Sequence, residues 1–268
     1  SFPLGSEAEF EQEVNMIFNM LAKECFGTFK IGIAIHEVVE MSLIRRVKPR
    51  GVYWRWFTDG FANAIAFELL KKYDGAEMAE GFIAAYDVNK YKDLESEINL
   101  QYWMNAQCCI LPLGGPIEYE SRFTTARYAY ATLEAQRLVE KHGIRCVKKI
   151  LDMLSQKDRS TIENLLATIK EVTGEDIQQR LSRYQTFQTR EEGIPKYTIP
   201  FNTAAKKKDY EQMLINLLRV MELQEKQITP NNLQTWAIVA RILFKMGHKK
   251  TGYEVMQNCL ELFKNSPI

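Results

Sequence analysis

The sequence predicts an all-α chain, or nearly so. Three observations carry that expectation. Apolar residues recur at steps of three and four along most of the 268 residues, as one face of a helix requires. Gly (14) and Pro (8) are scarce, so the turns of a β-sandwich have few residues to make them. β-branched alternation is weak throughout, and the one short strand expected, residues 28–33, runs straight into a helix.

The elements follow in order. Residues 7–25 place Phe10, Val14, Ile17, Phe18, Leu21 and Ala22 on one helical face, and Gly27-Thr28 breaks it. Residues 31–46 are almost uncharged before His36, which predicts a buried helix. A basic loop with Lys48, Pro49, Arg50 and Gly51 follows. The third helix covers about 55–72 and ends at Tyr73-Asp74-Gly75. Residues 76–86 and 92–105 read as shorter helices, and 110–117 as an irregular stretch. A long helix from about 122 to 141 stops at His142-Gly143. Ser160 and Glu163 have capping-box spacing for a helix to about 171, and Thr173 reads as the next N-cap. Residues 188–205 are polar and hold Gly193, Pro195 and Pro200, which predicts a linker between residues 1–187 and 206–268. Helices are expected at about 207–225, 231–246 and 249–264, with Thr229-Pro230 opening the second and Gly247 dividing the last two.

Composition excludes several function classes. Lys+Arg (35) nearly cancel Asp+Glu (34), so no global field draws nucleic acid or an anionic membrane. No apolar run approaches the ~18 residues of a membrane span. The five cysteines (25, 108, 109, 146 and 259) form no CxxC pair and read as small buried hydrophobes. Phosphate-loop, dinucleotide and nucleophile-elbow motifs do not occur. A chain beginning at Ser1 is expected to be processed or excised, which favours an exported location.

The informative segment is 36–59. Residues 36–40 read His-Glu-Val-Val-Glu. On a helix, i and i+4 share a face, so His36 and Glu40 project together and Glu37 lies about 100° around. This resembles the HExxH helix of zinc peptidases with Glu in place of the second His. In that motif two imidazoles hold zinc and the intervening Glu is the general base. The segment Trp56-Phe57-Thr58-Asp59-Gly60-Phe61-Ala62-Asn63 resembles the gluzincin segment that carries the third ligand, and eighteen residues separate Glu40 from Asp59, as in aminopeptidase-type members. Residues 128–143 resemble the helix after the zinc site, and the sequence from Gly174 resembles the end of the same domain.

The resemblance to gluzincin (peptidase-MA-like) metallopeptidases spans about residues 30–187. It implies a gluzincin-like helical domain over 1–187, zinc held by His36, Glu40 and Asp59, Glu37 as base and Tyr128 as oxyanion donor. Two departures are visible. One imidazole with two carboxylates is a harder and more anionic ligand set than the family's, which makes bound water a poorer acid. The sheet whose edge strand holds substrate in such peptidases has no counterpart in the helical pattern before His36. The expectation is therefore a zinc-metallopeptidase-like protein, degenerate or weakly active, acting on peptide or protein. Two alternatives stay open: Glu37 and Glu40 as partners of Arg45, Arg46 or Arg127 in a metal-free relic, and a non-catalytic helical scaffold that binds a protein. Tyr130, His142 and His248 read as structural.

The C-terminal segment resembles a tetratricopeptide-type helix pair through Trp236, Ala240, Gly247 and Gly252. A repeat array needs about three units, so one pair predicts docking on the first domain. Arg45, Arg46, Lys48 and Arg50 near Tyr53, Trp54 and Trp56 mix basic and aromatic residues, but the tryptophans are expected to pack inside and no nucleic-acid partner is expected.

Overall fold

A computed structural model describes residues 28–49, 53–104, 118–156, 160–224 and 233–264. The helix expected at 7–25, Cys25, Cys108, Cys109, the stretch 110–117 and the Thr229-Pro230 cap lie outside them. The all-α expectation holds. The α-helices are α1 Thr28–Val47, α2 Arg55–Tyr73, α3 Ala76–Ile83, α4 Glu118–His142, α5 Arg145–Ser155, α6 Ile162–Thr173, α7 Ile177–Leu181, α8 Arg190–Lys207, α9 Tyr210–Leu223, α10 Leu233–Lys245 and α11 Lys249–Lys264. Residues 84–102 continue after α3 as short 3-10 turns rather than a second α-helix. Among the described residues there is no strand, only an isolated bridge between Pro49 and Ser160. The strand expected at 28–33 is the first turns of α1.

The chain divides into two units interleaved along the sequence, unlike the expected succession of 1–187, linker and 206–268. The first takes described residues 28–49, 57–88 and 129–175. The second takes 53–56, 89–104, 118–128, 176–224 and 233–264. The division crosses α4 between Tyr128 and Ala129.

In the first unit, α1 packs on α3 and α5, and α5 on α6. Ile35, Val39 and Leu43 recur every four residues and bury one stripe of α1. The opposite stripe is not buried: Ile33, Val38 and Met41 are 36%, 41% and 47% exposed, so α1 is not the all-round buried helix its composition predicts. Val147, Ile150, Leu151 and Leu154 form the inner face of α5, each contributing about 1.5–3 kcal/mol by leaving water. Two glycines set close approaches. A Cβ on Gly32 would lie 2.2 Å from the Phe82 ring, and one on Gly60 would lie 2.6 Å from the Ala131 carbonyl oxygen. The second contact is with backbone, so α2 and α4 touch there only because residue 60 has no side chain.

Caps correct the sequence reading by small steps. Thr161, not Ser160, caps α6 by accepting from the Asn164 amide. Ser160 is buried and donates to the Leu154 carbonyl. Thr173 ends α6 and donates to the Ile169 carbonyl, while Asp176 caps α7.

In the second unit, α8 pairs with α9 and α10 with α11, two helical hairpins in succession. The expected linker is α8 itself. Thr189 and Glu192 close a capping box at its start, a signal the prolines masked. Pro195 and Pro200 are exposed, as are Glu191 and Lys196, the residues whose carbonyls they leave without an amide donor. Leu214, Leu218, Met221, Trp236, Val239, Leu243 and Val255 form the hairpin core. Gly252 admits the Phe244 ring, with a would-be Cβ at 2.9 Å.

Candidate metal centre

The centre lies within the first unit. His36 and Glu40 stand one turn apart on α1, and Asp59 comes from the second turn of α2. The Nε2 atom of His36 is 3.8 Å from a Glu40 oxygen and 3.8 Å from an Asp59 oxygen. One donor atom from each of the three side chains lies within 4.8 Å of the others. His36 is 6% exposed and Asp59 1%, while Glu40 is half-buried. These separations exceed a hydrogen bond. They are close to the spacing of about 3.4 Å between ligands on tetrahedral zinc, given metal–ligand bonds of about 2.1 Å.

The other face of the imidazole is anchored. Asn63, one turn after Asp59 and fully buried, places its Oδ1 atom 2.8 Å from His36 Nδ1. Its amide orientation follows from its other end, where Nδ2 donates to Thr132 Oγ1 at 2.8 Å. Nδ1 of His36 therefore carries a hydrogen, and Nε2 is the ring nitrogen that faces Glu40 and Asp59. Metal-binding histidines are held in the same way by a carbonyl or carboxylate behind them. Thr58 adds a hydroxyl donated to Glu40 Oε1 at 3.3 Å. Gly60 lets α2 meet α4 at Ala131, beside Thr132, so the anchor depends on that close approach.

Tyr86 also borders this group. Burial pushes its phenol up to about 12; a hydrogen bond with Asn63 opposes the shift, and the Asp59 and Glu37 carboxylates reinforce it. The phenol therefore keeps its proton at neutral pH. Glu37 is exposed on α1.

The structure thus brings together His36, Glu40 and Asp59 as the motif spacing predicts. Tyr128 belongs to the second unit. There Arg55 donates to its hydroxyl and stacks over its ring at 5.3 Å, and Trp103 meets it edge-on at 4.9 Å. Two of the arginines considered as partners for the α1 carboxylates have other acids: Arg46 pairs with Asp152 at 3.0 Å, and Arg127 with Glu222. His142 pairs with Glu175 at 2.7 Å at the end of α4, a structural role. Asn63, Thr132 and Tyr86 were not singled out from the sequence. Asn63 had a usable signal, its i+4 spacing from Asp59, whereas Thr132 and Tyr86 had none.

Chemically, two carboxylates and one imidazole nitrogen gathered within 4.8 Å are a donor set that a divalent cation can take. Among the described residues, no helix is long and apolar enough to cross a membrane. No protein-family model, curated protein or solved structure matches the chain.

Proposed function

We propose that the first unit is a divalent-metal, peptidase-like centre with little hydrolytic turnover. The observation that carries it is His36, its Nδ1 tied to Asn63 and its Nε2 held 3.8 Å from each of two carboxylates. His36, Glu40 and Asp59 would hold zinc, which when bound lowers the pKa of a water and polarises a carbonyl. Asn63 fixes the imidazole, and Thr58 steadies Glu40. Glu37, exposed on the same helix, accepts the proton of the attacking water. Glu40 and Asp59 together offset more cationic charge than one carboxylate does, which argues for slow chemistry.

Metal analysis and zinc titration of protein purified without chelator decide the reading. Wild type should bind one zinc ion, and His36→Ala or Asp59→Ala should weaken binding by roughly 100-fold or more. Glu37→Gln should keep the metal and remove whatever chelator-sensitive cleavage of unstructured peptides wild type shows. Wild type that takes up no divalent metal overturns the proposal, and rapid peptide cleavage overturns its low turnover.

The exposed stripe of Ile33, Val38 and Met41 favours a second reading, a scaffold that docks a protein partner. The two readings part on His36→Ala and Met41→Asp. A metal-centred function fails with the first and a docking function with the second.

A further inference from the structure

The second unit contains a pocket of its own, independent of the metal reading. Its volume is 170 Å³, comparable to the cavity of about 150 Å³ that accepts benzene. Phe123, Ile215, Asn216 and Arg219 are buried and line its inner wall, whereas Glu97 and Gln212 are exposed at its rim.

The inner wall carries a fixed positive group. The Arg219 guanidinium lies 3.8 Å from the Phe123 ring centroid and donates to Glu222 at 2.8 Å. Glu222 also takes both ends of Arg127, at 2.5 and 2.9 Å. One carboxylate is thus shared by two guanidinium groups, and Arg219 is held without needing to reorganise. A guanidinium in a wall of low dielectric attracts a carboxylate more strongly than one in water. The rim carries the opposite sign. Glu97 accepts from the Tyr119 hydroxyl at 3.3 Å, and among the described residues no lysine or arginine pairs with it. Tyr119 stacks on Phe123 with centroids 5.9 Å apart, so the lining also carries aromatic, apolar groups.

A positive group inside, a negative group at the rim, and apolar groups in the lining fit a small zwitterion. We propose that this pocket binds a free α-amino acid of moderate apolar side chain, its carboxylate toward Arg219, its ammonium toward Glu97 and its side chain against Phe123, Tyr119 and Ile215. Lysine and arginine side chains are disfavoured by Arg219, and indole by volume.

Calorimetric titration of the full chain tests this with L-leucine and two analogues, 4-methylpentanoate, which lacks the ammonium, and 3-methylbutylamine, which lacks the carboxylate. Leucine should bind, and each analogue should bind at least about tenfold more weakly, because it leaves a site charge without its partner. Glu97→Gln should weaken leucine and remove its advantage over 4-methylpentanoate. Gln212→Trp, a change at an exposed position, should fill the rim and abolish binding without lowering the melting temperature. Three results overturn the proposal: no binding of leucine, valine or phenylalanine at millimolar concentration, equal binding of 4-methylpentanoate, or undiminished leucine binding by a folded Gln212→Trp protein.

Discussion

The two units each bury a charged cluster, and the clusters are built in opposite ways. In the second, Arg127 and Arg219 each donate directly to Glu222 at 2.5–2.9 Å. Burial alone would push the Glu222 carboxyl up, but the two guanidinium groups outweigh it and hold the carboxyl below its ordinary value. In the first, Nε2 of His36 stays 3.8 Å from each carboxylate, too far for a bond, while the rest of the ring and Glu40 are fixed by Asn63 and Thr58. A cluster that closes on itself stabilises the fold. A cluster braced from behind, its ring nitrogen not bonded to either carboxylate, has the spacing that the proposed metal site needs. The contrast lies in how the charges meet, not in the mere presence of buried charge.

Breaking the closed cluster should have the largest effect. Glu222→Gln leaves two guanidinium groups against a neutral amide, and should lower stability by about 3–5 kcal/mol in urea unfolding. The same residue gives the sign of the acid response. Its folded pKa lies below the unfolded 4.5, so its contribution is whole above about pH 4.5 and is lost as pH falls through the lower folded value. Stability of Glu222→Gln should therefore fall less between pH 5 and pH 3 than that of wild type.

Gly60→Ala should come next. Its methyl meets the Ala131 carbonyl, a backbone group that cannot swing aside, so a loss of about 1–3 kcal/mol is expected. Because the same approach seats Asn63 on Thr132, zinc affinity should drop with it. An unchanged melting curve would contradict the close packing of α2 on α4.

The smallest effect in this series is the most specific to the open cluster. Asn63→Ala removes the brace behind His36 while keeping every proposed ligand, and should weaken zinc by about 10–100-fold. A loss of stability with unaltered zinc affinity would make Asn63 merely structural. Glu40→His with Asp59→Glu sharpens the comparison from the other side. Restoring an imidazole pair and the longer acid should raise zinc affinity above wild type, as measured by competition titration at pH 7.

The open cluster was legible because its signals are local: a four-residue step puts His36 and Glu40 on one face, and the gap to Asp59 sets the next helix. The closed cluster was not, since Arg127 and Glu222 stand 95 residues apart and nothing in either neighbourhood names the other. Sequence also missed α8, where two prolines outweighed the Thr189–Glu192 box. The exposed positions of both prolines and of Glu191 and Lys196 explain the helix, because a carbonyl without an amide donor costs little where solvent can reach it. The cap at Thr161 rather than Ser160 turned on burial, which one residue of sequence does not specify. The neighbours of Tyr128 were not legible either: Arg55 and Trp103 lie 73 and 25 residues before it, and no local pattern links them to it.

The succession of hairpins after residue 190 has a consequence in time. The contacts of α8 with α9, and of α10 with α11, join neighbours in sequence, so they close small loops and form early. The bonds from Arg127 to Glu222 must wait for a loop of 95 residues to close. Residues that lock late act on escape from the native state rather than on arrival at it. Glu222 should therefore act as a latch: Glu222→Gln is expected to speed unfolding in stopped-flow kinetics while leaving the refolding rate nearly unchanged.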